Sequence, residues 1–152
     1  MEFVTRPITA YDAGEVLTLQ RAAYATEAQI YGDPFLPALT QTLDELRAEI
    51  ASSGGFVVVS GTRIVAAVRT ARHGSHVHIG RLTVAPDMQG NGLGTMLLAE
   101  VEKTADVEYA ELFTGHLSAA NIRLYERAGY VESHRKALRS GVELVYLRKP
   151  LR

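Results

Sequence analysis

Three glycines fall at alternate positions in DMQGNGLGTMLLAEVEK, at Gly90, Gly92 and Gly94, and a helix-like apolar pattern of Leu93, Leu97 and Val101 starts among them. A helix N-terminus carries unpaired N–H groups and partial positive charge. Glycines let an anion approach the backbone closely, so the chemistry on offer is the holding of a phosphate-like group. Two familiar phosphate loops fail on spacing. The dinucleotide fingerprint needs glycines at i, i+2 and i+5, and position 95 is threonine; the Walker A loop needs Gly-Lys-Ser/Thr, and no lysine stands there. A plain glycine-rich turn between a strand and a helix fits the same residues.

A second stretch, SAANIRLYERAGY, holds Asn121 and Tyr125 four residues apart. A helix stacks such a pair on one face, where it can line a site. The bland alternative is Tyr125 as a core aromatic near Ile122 and Leu124, with Asn121 solvated.

The elements that must position these residues follow from pattern and punctuation. VTRPIT (Val4 to Thr9) reads as a strand. YDAGEVLTLQRAAYATEAQ reads as a helix, with Val16, Leu19 and Ala23 near helical spacing, and Gly32, Asp33, Pro34 and Pro37 break it. TLDELRAEI starts again with Thr42 and Glu45 in capping-box register. GFVVVS, RIVAAVRTA and HVHIGRLTVA read as strands separated by turns at Gly61-Thr62 and Gly74-Ser75. After the glycine loop and its helix, YAELFTG is a further strand. SAANIRLYERAG is a helix with Ser118 as N-cap and Gly129 just past its end. YVESHRKAL and VELVYLRK pair as a hairpin around Ser140-Gly141. The order β-α-α-β-β-β-α-β-α-β-β predicts an α+β fold, a mixed α/β sandwich rather than a regular βαβ array.

The 152 residues suit one domain, taken as 1–152, since two halves would each be marginal. A hydrophobic share of 47% with 22% charged residues is an ordinary globular composition. The formal net charge of −1 gives no electrostatic footprint for nucleic acid or an anionic membrane. The absence of cysteine excludes a disulfide scaffold, a cysteine nucleophile and a thiolate metal site. No metal-spaced cluster of histidines and carboxylates appears, so no metal is expected. The N-terminus lacks a basic stretch followed by an apolar core, and no apolar run approaches the roughly 20 residues of a bilayer span. The expected location is the cytoplasm, with no membrane partner.

VAPDMQGNGLGTMLL resembles the acyl-CoA pyrophosphate loop, Gln/Arg-x-x-Gly-x-Gly/Ala, of the GNAT superfamily of N-acetyltransferases. NIRLYERAGYVE resembles the later helix of that family, in which Asn-x-x-x-Tyr precedes a small residue, glycine and an aromatic. The resemblance covers Val4 to Lys149. It implies a central mixed, mostly antiparallel sheet of about seven strands flanked by about four helices, with acetyl-CoA between a splayed pair of strands. It implies that Leu82, Thr83 and Val84 pair backbone groups with the pantetheine arm. The N–H groups of Gln89, Gly90, Asn91, Gly92, Leu93, Gly94 and Thr95 would cradle the pyrophosphate. Asn121 would bond the arm, and Tyr125 would sit near the sulfur.

The implied reaction is attack of a primary amine, on a small molecule or a peptide, at the thioester. A lysine-like amine with pKa about 10.4 is neutral in about 1 molecule in 2500 at pH 7, a penalty near 4.6 kcal/mol. A base or a site favouring the neutral amine must offset part of it. Tyr125 is the expected general acid for the leaving thiolate. Relatives often place a glutamate base where this chain has Gly80-Arg81, so the base is open. His78 is the expected choice, with His76 on the same strand face, and Glu27, His116 and a water chain are alternatives. Packing histidines explain His76 and His78 equally well.

Tyr24, Glu27, Tyr31, Asp33 and Phe35 could line an aromatic and acidic acceptor pocket, with Glu27 and Tyr31 as its substrate-binding residues. RKALRS, Arg135 to Ser140, could favour an acidic acceptor or form an exposed hairpin tip. A homodimer is open, and VELVYLRK is the expected pairing edge. A catalytically silent acyl-CoA sensor or interaction module is the rival to an enzyme. A nucleotide-binding domain is a third reading, weakened by the failed spacings.

Overall fold

The computed structural model describes residues 2–152. Seven strands form one sheet: β1 (Val4–Pro7), β2 (Gly54–Ser60), β3 (Arg63–His73), β4 (His76–Val84), β5 (Tyr109–Gly115), β6 (Val131–Arg139) and β7 (Val142–Pro150). Five helices accompany them: α1 (Ala13–Tyr31), α2 (Pro37–Thr40), α3 (Leu43–Ser52), α4 (Leu93–Thr104) and α5 (Ala119–Arg127). The sheet order is β1-β2-β3-β4-β5-β7-β6. Every pairing is antiparallel except β4 with β5. A parallel pair needs a crossover, and α4 with its glycine loop supplies it. The expected mixed α/β architecture and its element order are thus found. No helix among the described residues is long and apolar enough to cross a membrane.

Local chemistry sets the helix ends. Thr42 Oγ1 accepts from the Glu45 amide at 3.1 Å while Glu45 Oε1 accepts from the Thr42 amide at 2.9 Å, a closed capping box. Gly32 ends α1 in the left-handed region at φ 59. One element differs from the sequence reading: Pro37, read as a breaker, starts the one-turn helix α2. Its ring removes only an N–H donor that a first helical turn does not use. The expected pairing edge is also corrected. VELVYLRK is β7 and lies inside the sheet between β5 and β6, because its apolar residues Val145 and Leu147 are buried there; the edges are β1 and β6.

β3 carries the core, with Ile64 to Val68 buried. Opposite it, β4 bulges. Ala67 faces Thr83 and Arg69 faces Gly80, so Val68 stands against two residues, Arg81 and Leu82. Arg81 takes a left-handed backbone at φ 51, the one non-glycine residue among the described residues to do so. That conformation costs an L residue about 1–2 kcal/mol. Beneath the bulge, Arg69 is 4% exposed and forms a closed polar ring. Its guanidinium donates to Glu49 Oε1 and to Gln20 Oε1, each at 2.5 Å. Gln20 in turn donates to the Ala38 carbonyl and to Gln41, and Gln41 donates to Glu49. One buried cation thereby ties α1, α2 and α3 to the strand opposite the bulge.

Candidate active site

β4 and β5 pair only where His76, Val77 and His78 face Tyr109, Ala110 and Glu111. Beyond His78 the strands part. β4 continues to Val84 along β3, and β5 continues to Gly115 along β7. The result is a wedge with one wall at Ile79–Val84 and the other at Leu112–Gly115. Leu82, Thr83 and Val84 stand on its edge. Thr83 is buried with its hydroxyl toward the Ala67 carbonyl at 3.4 Å, so only its backbone is available to the wedge.

The glycine loop closes the wide end of β4. Gly90 and Gly92 have φ of 85 and 73, and a Cβ on either would meet nothing within 4 Å. The space in front of them is open for a bulky anion. The first bond of α4 joins the Met96 amide to the Gly92 carbonyl, which leaves the Leu93, Gly94 and Thr95 amides without helical partners. Gly94 serves packing instead: a Cβ there would stand 3.1 Å from a Leu124 methyl carbon. The Asn91 side chain folds inward to the Met88 carbonyl at 2.8 Å and shapes the turn. Gln89 and Thr95 are exposed. Free amides, open space and exposed polar side chains fit a diphosphate ester such as that of acetyl-CoA.

α5 carries the expected pair. Asn121 Nδ2 donates weakly to Thr114 Oγ1 of the opposite wall at 3.4 Å. The Tyr125 ring is buried and edge-on to Tyr130. Its hydroxyl has no hydrogen-bond partner among the described residues, yet no buried side-chain oxygen is left unsatisfied, so the oxygen reaches solvent. Burial raises its pKa, with Tyr24 and Glu27 adding to the effect. The phenol is therefore a protonated, unengaged donor.

The expected acceptor side is built by α1. Tyr31 packs flat against Gly115, where any side chain would collide with its hydroxyl. The Leu117 amide donates to that hydroxyl at 3.1 Å, and Tyr31 and Ser118 Oγ lie 2.7 Å apart. Ser118 donates to Glu27 Oε2 at 2.5 Å. Since Ser118 has one proton, it accepts from Tyr31, and a one-way chain runs from Leu117 through Tyr31 and Ser118 to the Glu27 carboxylate. Glu27 and Tyr31 are thus brought together. Ser118, read from sequence as a cap, makes no side-chain cap and is spent on this chain. Tyr24 lies nearby; burial raises its pKa, and Arg81 and Arg69 oppose that. Phe35 is 76% exposed and Asp33 turns to the Phe35 amide and to Arg139, so neither joins the site.

The histidines separate. His78 Nε2 lies 3.7 Å from where a Gly80 Cβ would stand, so the ring lies over a residue with no side chain to block it, and it packs tilted on Phe113 at 5.4 Å. Burial lowers its pKa below the ordinary 6.5, against the pull of Glu111, and it is neutral at pH 7. His76 stacks on Tyr109 at 4.9 Å. His116 Nδ1 accepts from the Glu143 amide at 3.0 Å and bridges two strands. The hairpin arginines are matched, Arg135 by Glu132 and Glu143 and Arg139 by Asp33, while Lys136 lies over the Tyr146 ring at 5.1 Å. Sequence reasoning noted Arg81 only as a departure and missed the buried Arg69. The one signal for the latter was an arginine inside the apolar run of β3.

Residues 21–151 match the Acetyltransferase (GNAT) domain family. The chain is 31% identical over 153 residues to an S-(2-succino)cysteine N-acetyltransferase of Bacillus subtilis, covering 93% of this chain and 92% of that protein. It is 28% identical over 119 residues to the UPF0157 protein YqkA of the same organism, covering 78% of this chain but only 34% of that longer protein. A PaiA N-acetyltransferase from Thermoplasma acidophilum, solved with coenzyme A, superposes with a TM-score of 0.86 at 15% identity, covering 99% of both chains. Wedge, glycine loop, family match and relative agree, and the chain belongs to the GNAT acetyltransferases, enzymes that draw their acetyl group from acetyl-CoA.

Proposed function

We propose that the chain is an N-acetyltransferase that moves acetyl from acetyl-CoA to a primary amine by direct attack. The carrying observation is the unpartnered Tyr125 hydroxyl on α5, the helix whose Asn121 reaches Thr114 of the wedge and whose Leu124 packs on Gly94 of the glycine loop. The bound donor would supply an electrophilic thioester carbonyl. Backbone N–H groups of Gln89 to Thr95 would hold its pyrophosphate, and Leu82 to Val84 with Asn121 would align its arm. His78 would take the proton from the attacking amine, for which a neutral imidazole is suited. A backbone N–H near the bulge would donate to the carbonyl oxygen as charge builds. Tyr125 would donate to the sulfur as the C–S bond breaks. Its raised pKa makes outright transfer to a solvated thiolate of pKa about 8.5 uphill. A dry wedge raises the thiolate as well, which restores the match. Glu27, fixed by Ser118 and Tyr31, would attract the ammonium form and orient it.

The activity in the name of the Bacillus subtilis relative, S-(2-succino)cysteine N-acetylation, supports a nitrogen on a small molecule as acceptor. The test is thiol release from acetyl-CoA with a panel of amino acids, polyamines, aminoglycosides and lysine peptides. Turnover with one class is the expected result. Protection from thermal unfolding by acetyl-CoA without turnover on any amine would replace the enzyme with a binding module.

A further inference from the structure

Arg81 combines three properties. It holds a left-handed backbone that a glycine would adopt freely. It sits in the bulge, where β4 turns away from β5. Its side chain is half-buried, and it takes part in none of the ion pairs among the described residues. The neighbouring charges sort by partner. Arg69 is matched by Glu49 at 2.5 Å. Glu27 is held by the Ser118 hydroxyl and is in no ion pair. One guanidinium and one carboxylate therefore remain beside Tyr24, neither in an ion pair, with Arg81 hydrogen-bonded to the Tyr24 hydroxyl.

An amine whose only charge is its ammonium group meets repulsion from Arg81. A molecule with a carboxylate beside its amine meets a partner for each end. A guanidinium also binds a carboxylate through two parallel N–H donors, which fixes orientation as well as charge. We propose that the acceptor is a free α-amino acid, its carboxylate held by Arg81 and its amino group turned toward Glu27 and His78. This rests on the acetyl-transfer reading of the site. In the step, the amino nitrogen forms the C–N bond to the acetyl carbon and loses one proton. The C–S bond breaks, and the sulfur takes up one proton. The products are an N-acetyl amino acid and free coenzyme A.

The test uses matched acceptors that differ only in the carboxyl group: methionine, methioninamide and 3-(methylthio)propylamine, with further side chains in the same three forms. The expected kcat/KM for the acids exceeds that for amides and amines by a hundredfold or more in at least one series. Arg81→Gln should erase most of that preference through the KM for the acceptor, with the KM for acetyl-CoA within about twofold. Arg81→Gly, which relaxes the left-handed backbone, repeats the measurement should the glutamine disturb the bulge. Amides used as well as acids, or a preference that survives both variants, overturns the proposal. Calorimetric binding of each acceptor in the presence of coenzyme A separates the two readings. Carboxylate-dependent binding that needs Arg81, without turnover, keeps the Arg81 site and overturns acetyl transfer. Neither turnover nor such binding overturns the Arg81 site.

Discussion

Tyr125→Phe removes one oxygen from a buried ring and leaves the packing against Tyr130 in place. The hydroxyl has no partner among the described residues, so its loss should barely touch stability. In the proposed reaction it would act only as charge develops on sulfur, so kcat should fall about 10²- to 10⁴-fold with the Kd for acetyl-CoA nearly unchanged. Equal turnover would remove Tyr125 from the acid role. His78 makes a separate claim on pH. With acceptor at low concentration, log kcat/KM should rise with pH through two groups, the imidazole and the amine. Burial sets the imidazole break below 6.5. His78→Asn should erase that break and leave the single slope of the amine. The same burial has a stability sign. A histidine with lowered native pKa binds its proton more readily unfolded, so stability is lost as pH falls from 6.5 through the native value. Denaturant midpoints of His78→Asn should fall less over that range than those of the parent.

At the scale of elements, the glycine loop and the bulge solve different problems. Gly92 caps α4 from the left-handed region and fronts open space. Gly92→Val places a β-branched side chain where L residues are strained, at about 1–3 kcal/mol, and in the path of the diphosphate. The Kd for acetyl-CoA should rise at least tenfold while circular dichroism stays native; unchanged affinity would move the diphosphate elsewhere. These loops were legible in sequence because their chemistry is local. Gly90 to Gly94, the Thr42–Glu45 box and Gly129 announce themselves within a few residues. The bulge was not legible, since nothing in GRLTV marks Arg81; it follows from the mismatch of β3 and β4 around Val68. The chain through Ser118 was hidden for the same reason. Its three side chains come from α1 and the start of α5, and only the fold brings Glu27 within 2.5 Å of Ser118.

At the scale of the molecule, the Arg69 ring holds three helices over the half-sheet that faces the acceptor. Arg69→Ala leaves the fully buried Gln20 without its donor and Glu49 without its cation, at a cost of about 3 kcal/mol. The thermal midpoint should drop by about 6–12 °C for a chain of this size. A drop below 2 °C would mean that apolar packing alone fixes α1. The other large-scale feature is the shortness of the contact between β4 and β5. Only three facing residue pairs stitch four strands to three, so the sheet is two panels with a narrow strand contact, bridged elsewhere by side chains of α1 and α4. A donor lying between them would act as the missing strand. Amide exchange along Ile79–Val84 and Leu112–Gly115 should then slow together when acetyl-CoA is added. Slowing of a single wall would mean that the donor rests on one panel only, and that the other wall of the wedge stays as open in the complex as without it.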